Sequence, residues 1–384
     1  MSTTQQLLPE KEVTTFAYAL CHFVVDFACV STMLCSVSRV LGESGQDSLE
    51  LVVLSILLYD VVAFALQLPV GIALDKLDKN STAALLSYML VGSGVLLSLV
   101  PVSFIQWLVV LLLAFGNALF HCAGALCVLN TSQKYAAPLG IFIATGAVGV
   151  FLGTFSAQYG RLQVAFSLLV LLFFCASMTR VVQKANQKYW NLHNDSFAIP
   201  KLSSRILLAI VLICFVVVLR SYVSMVLAFP WKSEEFLLVL SILGVFAGKA
   251  FGGVVADHFG FRTTALSSLI AAAILFVFSW EIPLFALLSV FFFNFTMAIT
   301  LAALVTILPR AKGTAFGLAS FSLALGALLA LLGPHLADPL VLSVISLVSA
   351  LALGVSLTLI SDLFVTDSFD SKCSTQVSNN DCHD

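Results

Sequence analysis

Twelve runs of apolar residues, each about as long as a membrane helix, constrain this chain more than any other feature. About 20 helical residues cross the hydrocarbon of a bilayer. A polar stretch after the sixth run separates the first six from the last six. The sequence therefore predicts an all-α polytopic membrane protein with twelve transmembrane helices in two bundles of six. The predicted spans are residues 15–40, 50–73, 82–101, 105–129, 138–159, 163–182, 204–228, 234–256, 264–281, 283–306, 313–333 and 339–361.

Composition excludes most other classes of protein. The chain is 60% hydrophobic and 10% charged, whereas soluble domains carry roughly 25% charged residues. A formal charge of -2 offers no basic surface to nucleic acid. The nine cysteines show no C-x-x-C spacing, so we predict no disulfide framework, no metal site and no cofactor. The expected partners are a small-molecule substrate, protons and the lipid bilayer, and we expect a monomer without a nucleic-acid partner.

The predicted organisation places both termini in the cytoplasm. Thirteen of the eighteen Lys and Arg residues then lie in inside segments, against three outside. The N-terminus lacks the basic region of a cleaved signal peptide, so we expect the first helix to stay in a multi-pass protein of the plasma (cell inner) membrane. The segments are a cytoplasmic N-terminus (1–14), two six-helix bundles (15–182 and 204–361), a cytoplasmic linker (183–203) and a disordered cytoplasmic tail (362–384).

Two sets of residues recur at nearly one offset along the chain. Gly71 and Asp75 after span two reappear, with the same spacing, as Gly253 and Asp257 after span eight. Gly146 and Gly153 in span five are matched, at nearly the same offset, by Gly326 and Gly333 in span eleven. Two homologous halves of this kind place a substrate site at their interface near the bilayer midplane. Close helix approach is expected at six glycines of these two spans, Gly146, Gly149, Gly153, Gly317, Gly326 and Gly333.

The repeated loop residues resemble the gating motif of the major facilitator superfamily of secondary transporters. The second copy keeps Gly253, Asp257, Gly260 and Arg262, whereas the first keeps Gly71 and Asp75 but has Lys76 for Arg and Asp78 where glycine is usual. The resemblance covers the whole chain and implies the fold of that superfamily. It also implies a latch that stabilises the outward-facing state, in which Asp75 and Asp257 cap a neighbouring helix and pair with a basic residue. The motif residues are Gly71, Asp75, Lys76, Gly253, Asp257, Gly260 and Arg262.

A second resemblance concerns one branch of that superfamily. His22 and Asp26 in span one, the stretch from Gly116 to His121 in span four and the glycines of span five resemble fosmidomycin-resistance exporters. The Gly-Pro signature that antiporters carry in span five is absent here. The sequence therefore does not decide between uptake and export. It also leaves open whether the protein is a symporter or an antiporter.

Six ionisable residues inside the spans are the candidates for chemistry, because each costs about 2.5–3.5 kcal/mol at a helix centre unless it finds a partner or water. Asp26 or Asp60 is expected to take up and release a proton, with His22 and His121 as relays. Arg220 and Lys249 are expected to attract an anionic substrate, since a guanidinium is a bidentate partner for carboxylate or phosphate. Asn117 is a further substrate-binding candidate.

Structural roles for the same residues remain open from sequence. Asp26–Arg220 and Asp60–Lys249 would be static bridges between the halves. His22 and His121 would each bond a backbone carbonyl one turn away. Lys249 would extend its side chain to the cytoplasmic interface.

The leading hypothesis is a proton-coupled secondary active transporter for a small organic anion or zwitterion, working by alternating access. The alternatives are a proton-linked multidrug or antibiotic exporter, a transporter-like receptor that does not transport, and a membrane enzyme. His22, His121, Asp26 and Asp60 have no tight metal-ligand spacing. No nucleophile motif or phosphate-binding loop is present. The chain is therefore predicted to be neither an enzyme nor an ATP-driven pump.

Overall fold

A computed structural model describes residues 7–43, 48–132, 135–190, 197–231 and 235–363 of the chain. Within these ranges the chain is helical and contains no strand. Three basic residues used for the predicted orientation, Lys134, Lys232 and Lys372, lie outside them, as do residues 191–196 of the predicted linker and 364–384 of the predicted tail.

The first half of the chain forms six spans, several of them built from two helical segments. The first is α1 followed by a π turn (Met33–Val37) and α2, and the second is α3 followed by α4. A 3-10 turn (Phe155–Gln158) extends α7. The helices are α1 (Leu7–Thr32), α2 (Ser38–Gly42), α3 (Ser48–Ala65), α4 (Gln67–Leu77), α5 (Asn80–Leu97), α6 (Ser103–Ser132), α7 (Ala137–Thr154) and α8 (Arg161–Trp190).

The second half also forms six spans. The tenth span of the chain, which is the fourth of this half, is divided into α12 and α13 at Asn294 and Phe295. The helices are α9 (Ser204–Val226), α10 (Glu235–Phe259), α11 (Phe261–Val277), α12 (Pro283–Phe293), α13 (Thr296–Ile307), α14 (Lys312–Leu332) and α15 (Pro339–Leu359).

Eleven helical segments of the described chain are long and apolar enough to cross a membrane, and each falls on a predicted span. The twelfth predicted span is α11, whose 17 residues extend about 26 Å at the α-helical rise. The predicted all-α membrane fold is therefore confirmed.

The break in span two has a local cause. Pro69 has no backbone N–H for the carbonyl of Ala65, and its ring crowds that carbonyl. α3 accordingly ends at Ala65 and α4 begins at Gln67. The side-chain amide of Gln67 donates to the carbonyl of Ala63 (3.0 Å), which anchors the chain at the bend.

Each half has its own hydrophobic core. One core runs from Ala17 to Val182 and takes in a few side chains of α13 and α14. The other runs from Ala209 to Ile360. Most buried apolar contacts are thus made within a half, so the contacts between the halves form an interface distinct from the two cores.

Glycines bring α7 against α1 and α14 against α9 in the same way. A Cβ at Gly149 would meet the carbonyl of Phe23 and the Cβ of Asp26 (3.2 Å), and a Cβ at Gly326 would meet the carbonyl of Val218 and the Cβ of Ser221 (2.6 Å). Gly149 and Gly326 are therefore structural equivalents.

This equivalence corrects the predicted pairing of Gly146 with Gly326, because Gly149 lies about one helical turn further along α7 than Gly146. The prediction of a close helix approach at Gly333 is also wrong. The three atoms nearest to a Cβ there all belong to Leu329, which precedes it by about one turn of the same segment, because α14 has already ended at Leu332.

The two halves touch closely at the end of the bundle where α1 begins and α15 ends, called the terminal end below. A Cβ at Gly71 would meet the carbonyl of Gly313, and one at Gly253 would lie 2.5 Å from the carbonyl of Ala136. Since Gly71 and Gly253 leave no room for a side chain there, the backbones of the two halves are in direct contact and the terminal end is closed.

Candidate functional site

Four polar side chains meet inside the first half and are called the polar cluster below. His22 and Asp26 lie one turn apart on α1, and Asn117 and His121 lie one turn apart on α6. Residues four apart share one face of a helix, so each helix presents a pair to the other. Asp26 is 8% exposed, His22 4% and Asn117 5%, so bulk water does not solvate this carboxylate.

Asp26 is the centre of the polar cluster. Its Oδ1 accepts a hydrogen bond from the Asn117 amide (2.9 Å) and lies 3.6 Å from His121 Nε2. Its Oδ2 lies 3.2 Å from His22 Nε2. Asn117 is predicted from the sequence to bind substrate, but in this state its amide nitrogen donates a hydrogen bond to Asp26.

Both histidines use Nδ1 to bond a backbone carbonyl. His22 Nδ1 lies 2.7 Å from the carbonyl oxygen of Phe142 on α7. His121 Nδ1 lies 2.9 Å from the carbonyl oxygen of Asn117. A carbonyl only accepts, so each Nδ1 must carry a hydrogen. The predicted hydrogen bond to a carbonyl one turn away is therefore present for His121. For His22 the prediction is wrong, because its carbonyl partner belongs to α7.

The two Nε2 atoms face each other at 2.8 Å. The rings meet edge to face, with centroids 4.4 Å apart and an interplanar angle of 86°. A single proton on either Nε2 makes this contact an N–H···N hydrogen bond of ordinary length.

His22, Asp26 and His121 each offer one atom that could bind a metal ion, and these three atoms all lie within 4.8 Å of one another. Two ligand atoms about 2.0–2.1 Å from a tetrahedral ion stand about 3.3 Å apart. The two Nε2 atoms are closer than this, at 2.8 Å, so the geometry fits a shared proton better than a metal. Sequence spacing missed the grouping because His22 and His121 are 99 residues apart.

The second half contributes two basic residues, Arg220 on α9 and Lys249 on α10. Arg220 is 4% exposed, and its Nη1 lies 3.4 Å from Thr300 Oγ1 on α13. Among the described residues, neither basic side chain has a carboxylate oxygen within 4.0 Å. The static bridges Asp26–Arg220 and Asp60–Lys249 are therefore absent from the described chain, and that interpretation is wrong.

Lys249 is linked by its charge to both the polar cluster and Arg220. It interacts electrostatically with both Arg220 and Asp26. A Cβ at Gly140 of α7 would be 2.6 Å from the carbonyl oxygen of Lys249, and one at Gly146 would be 2.5 Å from both Asp26 Oδ2 and His22 Nε2. Six residues of helix span about 9 Å, so α7 contacts the Lys249 backbone and the polar cluster at two points about 9 Å apart along its axis.

Asp60 is set apart from these groups. It is half-buried in α3, and the described residues provide it with no ion pair and no side-chain hydrogen bond. The structure thus groups only three of the four predicted proton-coupling residues: His22, Asp26 and His121.

The two aspartates of the gating motif join the halves at the terminal end. Asp75 accepts hydrogen bonds from the backbone N–H groups of Gly313 (2.7 Å) and Thr314 (2.6 Å) and from the Thr314 hydroxyl (2.7 Å). These groups open α14. Free N–H groups and the positive end of the helix dipole favour a carboxylate at this place.

Asp257 makes the equivalent contact from the second half to the first. It accepts from the backbone N–H groups of Ala136 (2.7 Å) and Ala137 (2.8 Å), where α7 begins. Each half thus caps a helix of the other.

Basic residues stand farther from these two carboxylates. Lys312 interacts electrostatically with Asp75, and Lys11 with Asp257. In the described ranges, however, no Lys or Arg nitrogen forms an ion pair within 4.0 Å of either carboxylate. The predicted direct pairing with a basic residue is therefore wrong for this part of the chain, because backbone N–H groups occupy the carboxylates instead.

The other motif residues set the turn and its surroundings. Gly260 has φ 88° and Asp78, at the corresponding position, has φ 48°. Aspartate tolerates the left-handed region better than most residues, which explains how Asp78 replaces the usual glycine. Lys76 Nζ lies 5.5 Å from the ring centre of Phe197. Arg262 is exposed.

Comparison with known proteins was made by sequence and by structure. No family model and no curated protein sequence matches the chain. Solved structures do match. One is FucP, a major facilitator superfamily transporter in the outward conformation, at 12% identity and TM-score 0.59, with 88% of this chain and 99% of that chain covered. Another is the human organic anion transporter MFSD10 (TETRAN), at 15% identity and TM-score 0.62, with 89% and 99% covered. This chain is therefore a multi-pass membrane protein with the major facilitator fold.

Proposed function

We propose that the protein is a secondary transporter that moves a small organic anion or zwitterion by alternating access, coupled to protons. One observation carries the proposal. Two basic side chains in the spans, Arg220 and Lys249, have no carboxylate partner in the described residues, and the charge of Lys249 interacts with Asp26 of the polar cluster.

The unpaired charges favour an anionic substrate. A charge inside a membrane span is costly unless water or a counter-charge meets it. An anion that enters between the halves supplies that counter-charge, and the guanidinium of Arg220 offers a fork of donors to a carboxylate. The structural similarity to MFSD10, an organic anion transporter, supports the same class of substrate. A zwitterion would add a positive group that Asp60 or Asp26 could attract.

The polar cluster supports proton coupling. A buried carboxylate flanked by two histidines can exchange a proton with them over a short distance, because the Nε2 atoms of His22 and His121 lie 3.2 Å and 3.6 Å from its oxygens. We assign proton coupling to His22, Asp26 and His121. Asp60, which lies apart from them, is a second candidate for the same role.

Alternating access is supported by the closed terminal end. If the termini lie in the cytoplasm, as the distribution of Lys and Arg predicts, this structure is the outward-facing state of a plasma membrane protein. Asp75 and Asp257 then act as latches, and residues 15–182 and 204–361 move as two halves. The similarity to FucP in its outward conformation supports this assignment.

A thermal-shift screen in detergent tests the substrate class. Wild type and Arg220→Ala are compared with succinate, gluconate, betaine and tetraphenylphosphonium as probes. A ligand at about 100 times its Kd stabilises the folded state by about 2.7 kcal/mol. We expect succinate, gluconate or betaine to stabilise only wild type. Stabilisation of both proteins by tetraphenylphosphonium alone would contradict the proposal and favour a multidrug exporter.

Uptake by proteoliposomes is the second readout. Radiolabelled succinate, gluconate or betaine should accumulate with wild type and not with Arg220→Ala. A Lys232→Ala variant serves as control, since Lys232 is a basic residue that the sequence places outside the predicted spans. Equal uptake by wild type and Arg220→Ala would remove Arg220 from the substrate site.

A further inference from the structure

We infer that the coupled proton is shared between the Nε2 atoms of His22 and His121, with Asp26 as its counter-charge, and that this proton and the anion travel in the same direction. The inference rests on the proposed transport of an anion and adds the place of the proton, its number and the sign of coupling. The sequence left the choice between symport and antiport open.

The hydrogen bonds of the two rings leave one place for the proton. Both Nδ1 atoms donate to carbonyl oxygens, of Phe142 and Asn117. In two neutral rings both Nε2 atoms would then carry bare lone pairs. These lone pairs would face each other at 2.8 Å and repel. One added proton converts the repulsion into a hydrogen bond of ordinary length. The pair therefore holds one proton as a unit.

Asp26 balances that proton. With the proton present, the histidine pair carries one positive charge and Asp26 one negative charge, at 3.2 Å from His22 Nε2. The polar cluster is then neutral. When the proton leaves, the cluster carries one net negative charge, and the two facing lone pairs favour separation of α1 from α6.

The charge of the cluster decides the sign of coupling through Lys249. The charge of this ammonium interacts with those of both Asp26 and Arg220, and α7 packs against the backbone of Lys249 as well as against the polar cluster. A deprotonated cluster attracts Lys249 and lowers the positive potential that an anion meets. A protonated cluster releases Lys249 to the anion. By reciprocity, the bound anion strengthens proton binding by the same factor, so proton and anion occupy the same state together.

In the part of the chain that the structure describes, the other groups found around the cluster are neutral. They include the thiol of Cys29 on α1 and the phenol of Tyr59 on α3, both of which interact with Asp26. α6 contributes the neutral amide of Asn117, and α7 contributes Gly146 and the carbonyl of Phe142. Lys249 of α10 is a charged residue of the second half that interacts with Asp26.

Solid-state NMR of the full chain in lipid bilayers tests the shared proton without any variant. With 15N-labelled histidine, we expect one Nε2–H signal coupled through its hydrogen bond to a bare Nε2. The chain has six histidines, so His121→Gln assigns the signal by removing it. The exposed His335 supplies the control His335→Gln, which should leave the signal intact.

Three NMR outcomes overturn the inference. They are two bare Nε2 atoms without coupling, separate protons on both Nε2 atoms, and Nε2 signals that change when a chelator removes a bound metal. Cadmium added alone, followed by chelator, provides the reference spectrum for the metal-bound case.

Proteoliposomes that contain a pH-sensitive dye test the sign of coupling. An inward gradient of succinate, gluconate or betaine should acidify the interior, and His121→Gln and His22→Gln should lower this signal at least tenfold. Alkalinisation, or uptake of a labelled probe without any pH change, overturns the inference while leaving the proposed transport intact. Absence of uptake for all three probes would instead count against the proposed function.

Discussion

At the residue scale, Gly146 holds α7 against the polar cluster. A Cβ at this position would lie 2.5 Å from Asp26 Oδ2 and from His22 Nε2, closer than carbon approaches either atom without a shift. Both side chains are already held by other hydrogen bonds. Absence of a side chain at Gly146 is therefore a condition for the cluster.

We expect Gly146→Ala to lower the free energy of unfolding by about 1–3 kcal/mol, because overpacking forces neighbours out of place. It should also reduce proton movement in proteoliposomes. Gly92→Ala is the matched control inside a span, since its Cβ would meet Leu169 at an ordinary 3.7 Å. That variant should be neutral or more stable by about 0.5–1 kcal/mol. Thermal unfolding in detergent compares the two, and equal stability would contradict the packing argument.

Gly260 illustrates a different constraint, set by its own backbone. It has φ 88° and ψ 148°, a region open almost only to glycine. No atom lies within 4 Å of the position of its Cβ, so a substitution there meets strain without a clash.

Gly260→Ala should destabilise the protein by about 1–3 kcal/mol from backbone strain alone. Gly160→Ala is the control, since the Cβ of Gly160 would also meet open space and its φ is not positive. We expect that variant to stay within about 0.5 kcal/mol of wild type. A Gly260→Ala protein as stable as Gly160→Ala in thermal unfolding would refute the argument.

At the scale of secondary-structure elements, the ends of two helices connect the halves. Asp75 caps α14 and Asp257 caps α7. A cap of this kind contributes about 0.5–2 kcal/mol. Because each cap crosses between the halves, its contribution favours the closed terminal end as well as the helix.

Asp257→Ala should therefore change the turnover rate of transport more than the affinity for the transported probe, and Asp75→Ala should do the same. Asp338→Ala is the matched control, because Asp338 caps α15 within one half by accepting from the N–H of Leu340 (2.8 Å). It should lower stability without altering turnover. The measurement is uptake over a range of succinate, gluconate or betaine concentrations. A change in half-saturation alone in Asp257→Ala would refute the latch.

At the scale of the whole molecule, the terminal end must open in each transport cycle if the halves alternate. Lys312 Nζ of the second half lies 3.1 Å from Asn130 Oδ1 of the first half. These two positions approach each other in the closed state and should separate when this end opens.

Cysteines at positions 130 and 312, joined by a short bis-maleimide, should hold the terminal end closed and abolish uptake in proteoliposomes. Each single variant treated in the same way should retain uptake. Wild type treated with the bis-maleimide gives the background, since its described cysteines are free and buried or half-buried. Uptake that survives complete cross-linking would mean that this end does not open during transport.

The sequence by itself determined the spans and the repeated loop. A bilayer requires about 20 apolar residues per crossing whatever the neighbours are, so run length alone located the helices. Gly71 and Asp75 have the same spacing as Gly253 and Asp257, and this repetition identified two equivalent loops before any contact was known.

Only the tertiary structure decided which polar groups meet. The rotation of α1 against α6 brings together His22 and His121, although 99 residues separate them. The same packing leaves Arg220 without a carboxylate in the described residues and makes Gly149, not Gly146, the equivalent of Gly326. The physical reason is that a nearly uniformly apolar helix carries little information about which face it buries. Close packing of helices selects that face, and with it the partners of each buried charge.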